Sequence, residues 1–306
     1  MIKSVTAINS NNEKLKMTLS TPEESGVLIT NIDGLNPPKS DISMTNSPVI
    51  DGSFFNFARA NNRNIVMDLR YIDSQMSIEE VRHLVYKIFK VKDLIRLIIE
   101  TDSKVVATKG YVESNDVEIF SQTEGSQVSI LCESAWLTSW SEQDEYIIDY
   151  FSGIENLFEF PFENNSLTED LIEFSSRYNI DRKNIEYYGE ISTGFIGECR
   201  IVGEVVGLTI YNVTSREVFT IEDDKVVEMI GTHFQSGDII TINTIVGQKS
   251  VRLQRGVQVY NLLPALNSNS KWVQLNRGVN DIWLLSESGI DNVEFTMKYQ
   301  LLYQGA

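Results

Sequence analysis

Histidine and cysteine are scarce in this chain, which has two of each among 306 residues. Two histidines are too few for a His-rich metal site and leave little room for a His-based hydrolase triad. We interpret His83 and His233 as surface or capped side chains. Cys132 and Cys199 lie far apart and form no Cys-x-x-Cys pair, which excludes a disulfide scaffold and disfavours a zinc site. Both have apolar neighbours, so we expect buried thiols and synthesis in a reducing compartment.

Positive charge is also in short supply. The chain has 26 Lys and Arg against 43 Asp and Glu, a net charge of −17. Residues 1–140 hold 14 basic and 18 acidic side chains, a net of −4, while residues 141–306 hold 12 and 25, a net of −13. Binding to nucleic-acid phosphates needs clustered Lys and Arg, so we expect no such binding. The excess acid favours solubility, and it is compatible with a conduit through which DNA passes without sticking.

Signals of membrane insertion and of enzymatic activity are missing. No apolar run approaches the ~20 residues that span a bilayer, and the N-terminus lacks a secretory pattern. The glycines from Gly189 to Gly207 are followed by neither Lys-Ser/Thr nor a helix, so they do not form a phosphate-binding loop. No spacing among the acids singles out a carboxylate pair for glycoside chemistry. We therefore expect a protein that is not an enzyme and has no metal and no cofactor.

The first half of the chain has the pattern of a β-sheet with one helix. Short alternating stretches predict strands, and residues 42–57 are predicted to form a loop with a turn at Asp51-Gly52. Ser77 and Glu80 have the spacing of a capping box. The residues that follow at helical spacing on one face are Ile78, Val81, Leu84, Val85, Ile88 and Phe89. One amphipathic helix on a sheet is a complete small domain, which we assign to residues 1–140.

The second half is dense in β signals. An acidic, irregular stretch within 138–160 is interpreted as the linker. After it, strands recur at regular spacing with turns between them, as in 201–211, 237–244 and 293–299. This spacing predicts an antiparallel β-sandwich over residues 141–306. The whole chain is thus predicted to be mainly β.

Three phenylalanines beside the predicted turn are candidates for an interface. Phe54, Phe55 and Phe57 are costly to leave in water near a loop tip. One interpretation is that alternate rings tuck into their own domain. The other is a contact between subunits, in which Arg59 and Arg63 would face acidic neighbours.

The order of these motifs resembles the siphophage distal tail protein family. In the first half, the resemblance rests on Asp33-Gly-Leu-Asn-Pro-Pro, on the segment from Asp51 to Arg59 and on the strand after Arg63. In the second half, it rests on Phe158-Glu-Phe-Pro-Phe-Glu, Gly237-Asp-Ile-Ile-Thr-Ile-Asn-Thr, Ser270-Lys-Trp-Val-Gln-Leu and Tyr299-Gln-Leu-Leu-Tyr-Gln-Gly. Two departures are Glu186-Tyr-Tyr-Gly, where the family has an Asn-x-Gly turn, and the long polar stretch 167–184 with a short helix expected at 169–174.

The resemblance implies a structural role in a phage tail. The first domain would have a sheet or split-barrel fold and form a ring, by family likeness a hexamer, that continues the tail tube and holds the tail-tip protein. The second domain would be galectin-like or jelly-roll and face outward, anchoring fibre or receptor-binding proteins for host attachment. DNA would pass through the lumen without specific binding. The protein would be made in the host cytoplasm and reside at the virion tail tip, with a prophage origin left open.

Two other functions stay open. The galectin-like fold raises a carbohydrate-binding module that aids host adhesion, with Trp272 and Trp283 as candidate glycan contacts. Galectins bind sugar with a His-x-Asn-x-Arg strand, and His233-Phe-Gln-Ser-Gly lacks the Asn and the Arg. Strand tryptophans are also more often part of a core. A wall-degrading enzyme is the least supported alternative.

Overall fold

The computed structural model describes residues 1–46, 51–72, 76–118, 123–141, 145–156, 175–179 and 181–306. It divides into two compact units, one of residues 1–145 with 302–306 and one of residues 146–301. The first unit is therefore built from both ends of the chain, which the sequence did not predict. The motif at 158–163, on which part of the resemblance rests, and the expected helix at 169–174 lie outside the described residues.

The first unit is built around one antiparallel sheet. Its strands are β1 (Ile2–Asn9), β2 (Lys14–Thr18), β3 (Val27–Asp33), β4 (Ser40–Asn46), β5 (Ser53–Ala60), β6 (Asn64–Tyr71), β7 (Leu94–Thr101), β8 (Val105–Glu118), β9 (Gly125–Cys132), β10 (Leu137–Ser139) and, from the end of the chain, β23 (Leu302–Tyr303). The sheet runs in the order β2-β1-β7-β8-β9-β6-β3, and β10 pairs with both β8 and β23. The hairpin of β4 and β5 is a separate two-stranded sheet.

Helix α1 (Ile78–Ile88) covers the core of this unit, and a short 3₁₀ turn lies at Pro22–Glu24. The predicted capping box is confirmed: the Ser77 hydroxyl accepts from the Glu80 amide, and the Glu80 carboxylate accepts from the Ser77 amide at 2.8 Å. Val81, Val85 and Ile88 are buried, because their helical spacing places them on one face. They pack with inward residues of β1, β6, β7 and β9 into a single core.

The second unit contains two larger antiparallel sheets that share one core. Its strands are β11 (Ile147–Tyr150), β12 (Ser152–Asn156), β13 (Ser175–Asn179), β14 (Arg182–Tyr187), β15 (Phe195–Ile201), β16 (Leu208–Asn212), β17 (Glu217–Ile221), β18 (Asp238–Asn243), β19 (Ser250–Arg255), β20 (Gln258–Asn261), β21 (Gly278–Leu285) and β22 (Val293–Tyr299). The sheets run β11-β22-β15-β18-β19-β20 and β14-β21-β16-β17, and β12 pairs with β13. Inward side chains of both larger sheets form one buried cluster.

Helix α2 (Asp223–Ile230) was not predicted from the sequence. It ends at Gly231, whose positive φ of 84° suits a glycine at a helix C-terminus. Two further 3₁₀ turns lie at Leu263–Ala265 and Ile290–Asn292. No helix in the described ranges is long and apolar enough to cross a membrane. The mainly-β class is confirmed, while a galectin-like topology stays a prediction.

Candidate functional site

The loop prediction over 42–57 was wrong for residues 42–46 and 53–57, which lie in the two paired strands of a β-hairpin. Strands β4 and β5 pair from Ser40 and Ala60 at the base to Asn46 and Ser53 near the tip. Gly52, just before β5, has a φ of 104°, which an L side chain rarely adopts. The loop prediction failed because the phenylalanines do not alternate with polar residues, as they would in a strand with one buried face.

Large apolar side chains on this hairpin are more than half exposed. The exposed fractions are 56% for Phe54, 63% for Phe55 and 54% for Phe57 on β5, and 58% for Ile42 and 56% for Met44 on β4. The prediction that some of the phenylalanines tuck into their own domain is therefore not met in the isolated chain. Few soluble proteins leave this much apolar surface exposed unless it contacts a partner. Ile42 and Met44 were missed in the sequence because they lie in the segment taken for a loop.

Register assigns the three phenylalanines to two different faces. Met44 lies opposite Phe55, whereas Thr45 lies opposite Phe54 and Ser43 lies opposite Phe57. Asn56 is the extra residue of a β-bulge, and its amide reaches the hydroxyls of Ser43 and Thr45. Directly opposite residues share a face. We call Ile42, Met44, Phe55 and Ala58 the apolar face of the hairpin, and Asp41, Ser43, Thr45, Phe54, Asn56, Phe57 and Arg59 its mixed face.

Arg59 keeps the mixed face partly ionic. Its guanidinium lies 3.2 Å from the Asp41 carboxylate, and both side chains are largely exposed. Hydrogen bonds from Asn61 and Arg59 lower the pKa of Asp41. Solvent screens an exposed pair of this kind, so the pair contributes little to stability. It therefore marks the polarity of this face more than it holds the hairpin together.

Arg63, the other arginine of the predicted interface, is buried in its own unit. Only 3% of the residue is exposed. Its guanidinium donates to the carbonyls of Gly34, Asn36 at 2.9 Å, Ala135 at 3.1 Å and Gln304 at 2.6 Å. Burial lowers the pKa of Arg63. Its place in a contact between subunits is therefore corrected: Arg63 joins the beginning, middle and end of the first unit.

A second exposed apolar surface lies on the main sheet of the first unit. Leu94 lies opposite Tyr111, and Tyr111 lies opposite Leu131, so the three side chains form a row across β7, β8 and β9. They are 37%, 48% and 44% exposed, respectively. The buried residues Ile95, Val112 and Ile130 point to the opposite side, toward the core. We call these three residues the apolar row. Only the strand register brings them together, because they are far apart in sequence.

The two tryptophans of the glycan hypothesis have different environments. Trp272 is partly buried against the core of the second unit, with its ring 5.2 Å from that of Phe219. Trp283 lies between the buried Ile282 and Leu284 on β21, and so projects from the opposite face of the sheet. Its indole nitrogen donates to Asp281 at 3.0 Å, and the Arg182 guanidinium lies 4.9 Å from its ring. Arg182 also donates twice to the Asp281 carboxylate.

An acidic groove of about 550 Å³ lies beside helix α2, and its lining includes Glu222, Asp223, Asp224 and Glu287. Asp223 is nearly buried, accepts from the Gly207 amide and lies 2.7 Å from His233 Nδ1. The hydrogen bond with Asp223 and the charge of Asp223 raise the pKa of His233. The role of a capped histidine thus fits His233, while His83 is an exposed side chain of helix α1.

Comparison with known proteins agrees with this architecture. Residues 189–303 match the model of the siphovirus-type tail component, C-terminal domain. The crystal structure of SPP1 Dit (gp 19.1), described as a paradigm of the hub adsorption apparatus in phages that infect Gram-positive bacteria, is 10% identical to this chain. It aligns over 98% of this chain and 99% of its own, with a TM-score of 0.60.

A second similar structure is a chain of the phage P2 baseplate in its activated conformation with Ca. It is 13% identical, covers 97% of this chain and 98% of its own, and has a TM-score of 0.44. No curated protein sequence matches the chain. The predicted likeness to siphophage distal tail proteins is confirmed: residues 189–303 match the C-terminal domain model of the siphovirus-type tail component, and the whole chain is similar in fold to SPP1 Dit.

Proposed function

We propose that this protein forms a closed ring, by family likeness a hexamer, which joins the tail tube to the tail tip and anchors fibre or receptor-binding proteins. The observation that carries the proposal is the hairpin of β4 and β5, which presents large apolar side chains, Phe55 among them, to solvent in the isolated chain. A contact between two different surfaces of identical copies closes into a ring when the rotation between copies permits it. The first unit would supply these contacts and continue the tube.

The test of the ring is the mass and shape of the purified full chain. We expect light scattering to give a multiple of the 34.8 kDa protomer and negative-stain images to show rings. The variant Phe55→Ser should shift the protein toward monomer. Tyr188→Ser, which changes a 65% exposed aromatic residue in the second unit, is the matched control and should leave the ring intact. Monomer alone at high concentration, even with the tail-tip protein present, would contradict the proposal.

The second unit would face outward and dock a basic surface of another tail protein. Its sequence holds most of the excess acid, and the groove beside helix α2 gathers four carboxylates. Complementary charge accelerates association and selects partners, and salt screens it. A fibre protein should therefore bind the full chain less tightly as salt rises. Binding that salt leaves unchanged would speak against docking by charge.

Host adhesion through sugar is the second candidate function. Trp283 favours it, because the indole is on the solvent side of its sheet and Asp281 fixes its orientation. The Arg182 guanidinium stacks on the ring, however, and competes with a sugar for that site. The core position of Trp272 suits packing. A glycan array with the full chain discriminates the two functions. Saturable glycan binding by wild type that is lost in Trp283→Ala would favour the carbohydrate-binding function.

We further infer that the protein does not hydrolyse its target and uses no cofactor. We also infer that it does not bind specifically to DNA in the lumen of the ring. The support is the environment of the histidines, since His233 is held by Asp223 and His83 projects from an exposed position. The net charge of −17 would repel DNA phosphates. Release of sugars or peptides from purified cell walls by the full chain would overturn the first part of this inference.

A further inference from the structure

We propose that the apolar face of the hairpin docks onto the apolar row of a second copy of this chain. This inference rests on the proposed ring and specifies its contact. The apolar face presents Ile42, Met44 and Phe55, and the apolar row presents Leu94, Tyr111 and Leu131. In the isolated chain both surfaces remain exposed, so the hairpin does not cover the row of its own copy.

The hairpin is long enough to lie across the apolar row. Strand β5 has eight residues and therefore spans about 25 Å at ~3.3 Å per residue. The row crosses three neighbouring strands, a width of about 10 Å at ~4.8 Å between strands. A half-exposed aromatic or large aliphatic side chain offers on the order of 100 Å² for burial. Three such side chains give each partner about 300 Å², a sizeable centre for an interface of ~800 Å² per partner.

A second copy is the occupant that the composition of these surfaces favours. Permanent interfaces between identical subunits are more apolar than transient ones. The apolar face and the apolar row contain no ionisable side chain besides the tyrosine hydroxyl, whereas the mixed face holds the Asp41 and Arg59 pair. Both halves of the contact lie in the first unit of one chain, so every copy can give one contact and receive one. This head-to-tail arrangement is the one that builds rings.

The bulge at Asn56 is what makes the hairpin suitable for this contact. Without the extra residue, Phe55 and Phe57 would lie on the same side of β5 and Phe54 on the other. The bulge instead leaves Phe55 alone on β5 beside Met44 and Ile42, and it moves Phe54 and Phe57 to the other face. The three phenylalanines therefore do not act as one patch. The apolar face makes the contact between copies, and the mixed face is not required for it.

Two complementary double variants test the contact. Met44→Lys with Phe55→Lys disables the hairpin, and Tyr111→Lys with Leu131→Lys disables the row. Each changes exposed side chains and should leave the far-ultraviolet circular dichroism unchanged. Each alone should weaken self-association by about 30-fold or more, as expected for loss of central interface residues. Phe54→Lys with Phe57→Lys alters the mixed face, is the matched control and should assemble like wild type.

Mixing the two disabled variants gives the decisive measurement. The intact row of one and the intact hairpin of the other still fit, so an equimolar mixture should form a 1:1 dimer that cannot close into a ring. A mixture that stays monomeric, or disabled variants that assemble normally, would overturn this contact. If wild type still forms rings in that case, the proposed function is unaffected. Loss of assembly in the control alone would assign the contact to the mixed face. Wild-type protein that is monomeric would overturn both proposals.

Discussion

Strands β5 and β6 are neighbours in the chain, with only three residues between them, yet β5 is exposed to solvent and β6 has a buried face. Every side chain of β5 from Ser53 to Arg59 is exposed. In β6, Ile65, Met67, Leu69 and Tyr71 are buried and alternate with less buried positions. Both strands are rich in large apolar residues, so apolar content alone does not separate them. Alternation does, because it reports a strand that has one face on its own core.

The two arginines of this segment differ in the same way. Arg59 forms an exposed pair with Asp41, while Arg63 is surrounded by four backbone carbonyls from segments that are distant in the chain. Gly34 contributes to this arrangement, because a side chain at its position would collide with the Asn64 carbonyl. The segment around β6 thus serves the stability of the first unit. The hairpin of β4 and β5 is available for another molecule.

The largest expected loss of stability that tests this comparison is at Arg63. Arg63→Met removes the donors of up to four carbonyls, each costing about 1–3 kcal/mol if it stays dry. We expect the free energy of unfolding of the first unit to fall by about 4 kcal/mol. Arg59→Met, the matched control, should leave the free energy of unfolding nearly unchanged, because solvent screens its pair with Asp41. Chemical denaturation of both variants measures the difference. Equal losses in the free energy of unfolding would mean that the two arginines contribute equally to stability.

A second comparison truncates apolar side chains in the two strands. Met67 is fully buried on β6, so Met67→Ala should lower the free energy of unfolding by about 3 kcal/mol through lost burial and a cavity. Phe57→Ala on β5 removes a larger side chain but should change stability by less than about 0.5 kcal/mol, because more than half of Phe57 is already exposed to solvent. Thermal melts of the monomeric protein check this. A costly Phe57→Ala would show that the hairpin packs on its own unit.

Local sequence signals were sufficient to predict secondary structure where a segment packs against the core of its own unit. The capping box of Ser77 and Glu80 and the periodicity behind it predicted helix α1, because both depend only on residues a few positions apart. Regular strand spacing predicted the mainly-β class of both halves. The hairpin, by contrast, was taken for a loop, since the bulge at Asn56 and the absence of a buried face remove the alternation that marks a strand.

Long-range features could not be derived from one sequence. The apolar row joins Leu94, Tyr111 and Leu131 only through the pairing of three strands. The burial of Arg63 depends on Ala135 and on Gln304, 241 residues away in the chain. Helix α2 is short and follows a strand without a Ser, Thr or Asn cap, so tertiary packing of Val226 carries it. The phenylalanines near the turn were identified, but their division between two faces required the register.

Deleting the C-terminal residues should change the stability of the first unit and leave that of the second unit unchanged. Deleting residues 302–306 removes the pairing of β23 with β10, the contacts of Arg63 with Gln304 and of Lys104 with Gly305, and the bond from the Ala306 amide to Leu35. Water replaces part of these bonds, so we expect the first unit to lose about 2 kcal/mol. The second unit should be unchanged. Hydrogen exchange resolved by unit measures both, with deletion of Ala306 alone as the mild control.

The smallest expected effect is a dependence of the second unit on pH through His233. Its pKa is raised above the ordinary value of 6.5 by the hydrogen bond with Asp223 and by that carboxylate's charge. A group whose pKa is higher in the folded protein stabilises the fold fully below its unfolded pKa, and the stabilisation disappears as pH rises through the folded pKa. His233→Gln should therefore destabilise the second unit at pH 5.5 and have less effect above pH 8. Denaturation midpoints across this range provide the measurement, and Asp223→Asn should remove the same pH dependence. A difference between wild type and His233→Gln that stays constant with pH would show that the pair contributes by packing and not by charge.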